Sequence, residues 1–503
     1  MVAKLKTFSF VGINVAPVDV QVKITPGMPS FSIVGLADKA VAESKERVRA
    51  AIASTGLSLP FTRITVNLAP ADLQKEGSHF DLAIALALMV EMEVLPNHVL
   101  DNFFVLGELS LDGSITGING IISAAIGANE RGCGLICPLQ NGKEAAWAGD
   151  LDIIAAPNLI SLINHLRGVQ LLDRPVAKKI IENRAYPNLS DIKGQDLAKR
   201  ALEIAAAGSH NLLLVGPPGT GKSMLASRLG GILPPLELME ILEINMIHSI
   251  SGKIVDGKLI TNRPFREVHH SCSMPAMVGG GSKAKPGEVS LAHNGILFLD
   301  ELAEFPRQVL DSLRQPLETS DVSISRVNCH VTYPANFQLI AAMNPCRCGY
   351  LGDAKRECKK APICGEDYKN KISGPLLDRI DMIIDVPQIN LFDVNQTKGE
   401  DSKAVLSRVI KARQVQKERY EQELEMENLA KTNAKISGKI LEKFCELGEI
   451  ETEILKKSIE KIQVSMRGVT RILRVARTIA DLDGSKKINQ NHLLEAISYR
   501  RRI

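Results

Sequence analysis

The run Asn211-Leu212-Leu213-Leu214-Val215 leads into Gly216-Pro217-Pro218-Gly219-Thr220-Gly221-Lys222-Ser223, the spacing G-x-x-x-x-G-K-S, and an amphipathic helical pattern follows from Met224. Glycines 216, 219 and 221 let the loop bend so that successive backbone N–H groups point inward at a phosphate. The Lys222 ammonium can reach the β- and γ-phosphates, and the Ser223 hydroxyl can sit on Mg²⁺. Pro217, Pro218 and Thr220 complete a loop expected to hold ATP.

A phosphate cradle alone does not imply hydrolysis. A second apolar run, Gly295-Ile296-Leu297-Phe298-Leu299, ends in Asp300-Glu301 about eighty residues further on. Asp300 is placed to hold the Mg²⁺ through its water shell, and Glu301 to polarise the attacking water. Taken alone, such a run is an ordinary strand end; following a phosphate loop, it points to ATP hydrolysis.

These two half-sites need elements to position them. A chain of 503 residues exceeds one core and suggests about three domains. Residues 1–165 read as mixed α/β, with strand candidates Phe8–Val15, Val18–Ile24, Ile64–Leu68, Phe103–Leu106 and Leu151–Ala155. Helical spacing marks Lys39–Ser54, Asp81–Glu91 and Ile121–Arg131. Residues 166–188, with Arg174-Pro175, Lys178-Lys179 and Tyr186-Pro187, read as a linker. Residues 189–388 alternate strand and helix, which implies a parallel sheet, and 389–503 read as helical, with a charged solvated stretch at 411–428. Net charge is +4, too small to argue for a polyanion by itself, although a motor can confine its positive charge to a pore. The N-terminus lacks the apolar stretch of a signal peptide, and no run approaches the ~20 apolar residues of a membrane span. Nine cysteines, an odd number, suit a reducing cytoplasm.

Longer blocks carry a resemblance. They are Asp191-Ile192-Lys193-Gly194-Gln195, His269-His270 followed by Gly279-Gly280-Gly281-Ser282, and Pro286-Gly287-Glu288-Val289-Ser290-Leu291-Ala292-His293-Asn294-Gly295. Further blocks are Gly374-Pro375-Leu376-Leu377-Asp378-Arg379-Ile380-Asp381 and the arginine-rich stretch Arg471–Leu482. With these, the chain resembles the ComM/YifB family of magnesium-chelatase-like AAA+ ATPases along essentially its whole length. The resemblance implies an α/β fold: an AAA+ P-loop core, preceded by a Lon-protease-like (S5-like) domain and followed by a helical lid. It places a water-positioning polar residue at Asn344, an arginine finger acting on a neighbouring subunit at Arg379, and a second sensor arginine at Arg467. It also implies a homo-hexamer that acts on single-stranded or branched DNA beside recombination proteins during natural transformation. A protein-remodelling ATPase of magnesium-chelatase type is the alternative.

Lon-type proteases use a Ser–Lys dyad. Here the alignment puts His79 at the nucleophile's place and Ile122 at the lysine's, with Ser78 one position off. A serine without an activating base is a poor nucleophile, so the first domain is expected to be proteolytically inactive.

Just after Asn344, Cys346, Cys348, Cys358 and Cys364 form C-x-C-x₉-C-x₅-C within an insertion at 346–364. Soft thiolates at short loop separations suit a structural Zn²⁺, and Gly349, Gly352, Pro362 and Gly365 permit the bends. Four reduced cysteines in a flexible insertion are the other reading. Cys133, Cys137, Cys272, Cys329 and Cys445 are scattered, as packing residues are.

His269 and His270 are adjacent and converge poorly on one ion, which favours a structural or nucleotide-communication role. Lys253, Lys258, Lys283 and Lys285 could track a phosphate backbone from pore loops, or be solvated loop charge. Arg467, Arg471, Arg474 and Arg477 share one helix face, a stripe assigned to the nucleotide and subunit interface. Arg500, Arg501 and Arg502 are free to meet any acidic surface.

Overall fold

The computed structural model describes residues 2–177, 186–254, 257–281, 284–326, 329–351, 358, 360–388, 399–421, 432–462 and 465–500. Lys178, Lys179, Ser282, Lys283, Gly352, the charged stretch beyond Glu421, and Arg501 and Arg502 lie outside the described residues.

The first domain is built on a seven-stranded mixed sheet. Its order is Ser30–Val34, Arg63–Ala69, Asn14–Thr25, Ala3–Val11, Phe103–Val105, Gly134–Pro138, Ile153–Ala156. The expected strand Phe8–Val15 is in fact two strands meeting at a tight turn, with Val11 opposite Asn14 and Gly12 at φ +64°. Alternation continues across the turn, so spacing alone does not show the break. The helix Asp81–Glu91 matches its expected span; residues 81–90 are all buried, which explains a run that is apolar all round.

The core domain carries five parallel strands in the order Phe265–Val268, Ile296–Leu299, Gln338–Met343, Leu212–Val215, Met382–Asp385. The three central strands, Ile296–Leu299, Gln338–Met343 and Leu212–Val215, are four to six residues long, almost wholly apolar and buried throughout, as strands covered on both faces must be, whereas the edge strand Phe265–Val268 carries Arg266 and Glu267. Beyond it lie the helices Ser402–Glu421, Gly438–Phe444, Glu449–Ile462, Met466–Leu482 and Gln490–Ser498. Met466–Leu482 packs on Asp196–Gly208 and Ser402–Glu421, so lid and core share one apolar cluster.

Among the described residues, several contacts fasten the first domain to the core, two of them as follows. A side chain on Gly12 would strike Val331 Cγ1 at 2.8 Å, on the hairpin Asp321–Arg326 and Cys329–Pro334. At the other, the Gly120 N–H donates to Ser249 Oγ (3.1 Å), whose hydroxyl donates to the buried Glu144 carboxylate at 2.5 Å.

Two buried imidazoles make this packing acid-sensitive. Burial pushes His79 and His248 down to about 4, against the favourable carbonyl contacts of Phe8 and Leu291. The unfolded chain takes up these protons near pH 6.5 and the folded chain only near 4, so stability rises with pH between those values. Lowering the pH to about 5 should cost on the order of 2 kcal/mol per histidine. Urea midpoints at neutral and acidic pH check this: His79→Asn and His248→Asn should each flatten the slope, and equal midpoints in the parent protein would contradict it.

Candidate nucleotide-binding site

Register brings the site together. Val215 lies opposite Met343 and Asp385, and Leu299 opposite Ala341. The carboxyl ends of three neighbouring strands therefore deliver Gly216, Asn344 and Asp300 to one edge, where a parallel sheet places its ligand. Gly216 has no room for a side chain, since a Cβ would come 2.2 Å from Val386 O. Gly219 and Gly221 sit at φ +78° and +85°, the left-handed region that the loop's bend requires. The Thr220 hydroxyl ties the loop to itself by donating to Pro217 O at 3.0 Å. Pro218 is exposed on the outside of the bend.

Lys222 opens the helix Lys222–Arg228 and is buried. Its ammonium donates to Gly216 O and Pro217 O (both 2.8 Å) and to Asn344 Oδ1 (3.2 Å). Burial lowers its pKa, and the nearby Asp300 and Glu301 partly restore it. Ser223 Oγ donates to Asp300 Oδ2 at 2.8 Å, so the hydroxyl and the carboxylate expected at the magnesium stand in contact. The donor set is hard oxygen, as Mg²⁺ requires.

Glu301 is exposed and adopts φ +52°, which is uncommon outside glycine. Its N–H donates to Asp300 Oδ1 (2.9 Å), while its carboxylate faces His270 Nδ1 at 3.5 Å. The His270 ring leans on His269, tilted by 34° with centroids 4.0 Å apart. His270 thus meets the Glu301 carboxylate directly, a contact between segments that follow two different strands and that no local spacing signals.

The two arginines lie elsewhere. Arg379 precedes the strand Met382–Asp385, whose first residue pairs with Leu212, so it stands at the amino end of the sheet. About 13 Å of strand, four residues at ~3.3 Å each, separates it from the phosphate loop. It is buried, donates to Arg314 O (3.1 Å) and Pro375 O (2.7 Å), and pairs with Glu318. No motif marks Glu318. Arg467 is exposed near the start of Met466–Leu482, one turn from Arg471, which pairs with Asp381. Both arginines therefore belong to the edge opposite Lys222.

The arginine stripe divides. Arg477 is fully buried against Asp481 and the carbonyls of Ser485 and Lys486, a structural clamp and not an interface residue. Arg500 is likewise internal, donating to Ile380 O and pairing with Asp378 at 3.7 Å. Lys253 pairs with Glu288 at 3.6 Å. In the first domain Ser78 Oγ donates to Glu108 Oε2 (2.6 Å), His79 is held by Phe8 O (2.9 Å), and Ile122 is buried.

Family models match three stretches: "Subunit ChlI of Mg-chelatase" over residues 20–141, "Magnesium chelatase, subunit ChlI" over 188–394, and "Magnesium chelatase, subunit ChlI C-terminal" over 399–500. The chain is 43% identical over 500 residues to a Salmonella typhimurium protein called YifB, covering 99% of this chain and 97% of that one. It is also 43% identical over 498 residues to the competence protein ComM of Haemophilus influenzae, covering 97% and 95%. A magnesium-chelatase 38 kDa subunit of Rhodobacter capsulatus is 24% identical over 334 residues, 60% of this chain and 83% of that one.

Proposed function

The chain belongs to the ComM/YifB family of magnesium-chelatase-like AAA+ proteins, and from that premise we propose a ring-forming, ATP-dependent DNA motor. It drives helicase or branch-migration activity and promotes strand exchange in homologous recombination during natural transformation. The observation that carries this is the division of the site. Lys222, Asp300, Glu301 and Asn344 gather at one sheet edge, while Arg379 and Arg467 belong to the opposite one. In our reading they serve phosphoryl transfer from a neighbouring protomer of a ring, a homo-hexamer; their placement at the opposite edge supports that reading. The competence protein ComM, similar along nearly its full length, supports a role in competence.

Within each site, Ser223 and Asp300 would hold Mg²⁺, which would supply neutralisation of phosphate charge. Lys222 orients the phosphates, Asn344 positions the lysine and the attacking water, and Glu301 takes the water's proton. His270 holds the Glu301 carboxylate in place through their 3.5 Å contact.

The second reading is a remodelling ATPase that acts on a protein partner, favoured by the chelatase-subunit models that match all three parts of the chain. Adding single-stranded, duplex or branched DNA to the purified protein separates the two. A motor should show a several-fold rise in ATPase rate with at least one of these; indifference to all three would favour the remodeller.

A further inference from the structure

Arg379 and Arg467 come to the far edge of the sheet on separate segments, and one side chain stands between those segments and the strands of the nucleotide cradle. Asn211 immediately precedes the strand Leu212–Val215 and is half-buried. Its Nδ2 donates to Arg379 O at 3.0 Å, and its Oδ1 accepts from Leu339 N at 2.9 Å. Leu339 lies in Gln338–Met343, the strand that leads into Asn344. A single amide therefore joins the turn that carries Arg379 to both strands that deliver the phosphate loop and Asn344.

The backbone of Asn211 doubles the join. Its carbonyl accepts from Asp381 N and Met382 N (3.0 and 3.1 Å), and its N–H donates to Asp381 Oδ2 at 2.8 Å. Asp381 is buried, and its other carboxylate oxygen pairs with Arg471, one turn of helix from Arg467. Ile380 O accepts from Arg500. Arg379, Ile380 and Asp381 are thus each held at a polar atom, and Asn211 supplies the partner at the first and the last. Water would satisfy Arg379 O or Leu339 N at a half-buried position; one planar amide bonded to both also fixes the separation between them. The cradle contacts of Lys222 and Ser223 are made without it.

Taking the ring of the proposed function as premise, we propose that Asn211 is a positioning residue for phosphoryl transfer on the adjoining protomer. Its amide sets where the main chain of Arg379 stands, and through Asp381 and Arg471 the same node aligns the helix that bears Arg467. An arginine side chain is long and flexible, so the placement of its main chain decides how far the guanidinium reaches.

Mixing inactive variants tests this by the choice of partner. Asn211→Ala should bind fluorescent ATP within about twofold of the parent and leave KM little changed, while kcat falls by about 10–10²-fold, as when a reacting group is slightly misplaced. Mixed with Glu301→Gln, it should regain activity, because each preparation supplies what the other lacks. Mixed with Arg379→Ala, it should regain none, since both lack a correctly placed finger. A residue that merely stiffened its own phosphate loop would give the reverse: weaker ATP binding, recovery with Arg379→Ala and none with Glu301→Gln. That pattern, or a kcat equal to the parent's, would overturn the proposal. Should Asn211→Ala fail to fold, Asn211→Asp decides, because it keeps an acceptor for Leu339 N and loses only the donor to Arg379 O; the same choice of partners is expected of it. The mixture of Arg379→Ala with Glu301→Gln is the control. If it stays inactive, the ring reading and this inference fall together; if it recovers while Asn211→Ala shows the reversed pattern, only the inference falls.

Discussion

Glu301→Gln should bind ATP as the parent protein does but hydrolyse it about 10²–10⁴-fold more slowly, the usual contribution of a positioned general base. The amide keeps the size of the side chain and leaves the backbone contact to Asp300 Oδ1 in place, so the magnesium side of the cradle should survive. It cannot accept a proton from water, and it also gives up the negative charge that faces His270 Nδ1. Fluorescent-nucleotide binding and steady-state phosphate release check the two halves separately. Turnover within a few-fold of the parent would show that another group is the base.

Arg379→Ala should reduce ATP turnover by about 10³-fold or more, as loss of a finger in trans does. The side chain also closes contacts within its own protomer, to Glu318, Arg314 O and Pro375 O, so a drop in rate alone would not distinguish catalysis from folding. Mixing does. An Arg379→Ala protomer keeps an intact site and lacks the finger, whereas a Glu301→Gln protomer lacks the base and keeps the finger. Combined, two inactive preparations should regain part of the parent activity, because some sites receive both groups. If the mixture stays inactive while both proteins assemble, the finger does not act between protomers.

Much of this molecule was legible without coordinates. The glycine spacing at 216, 219 and 221 and the Lys222-Ser223 pair specify their own geometry, because each depends on neighbours one to six residues away. The short apolar strands announced a sheet covered on both faces. What spacing misjudged shows the limit. The strand expected at Phe8–Val15 hides a reversal at Gly12, where the turn interrupts no hydrophobic pattern. Arg467, Arg471, Arg474 and Arg477 look equivalent on a helical wheel, yet one is exposed and another is sealed beneath Ser485 and Lys486.

By itself, the sequence determined the chemistry of the phosphate cradle, the pairing of carboxylates at a strand end, and the family, since these rest on contiguous residues with few conformations open to them. Only the tertiary structure decided that Ser223 meets Asp300, that His270 meets Glu301, and that Arg379 is turned toward Glu318 at the far edge of the sheet. Those contacts join segments far apart in the chain. Strand order and packing set them, and no local periodicity encodes which segments will be neighbours.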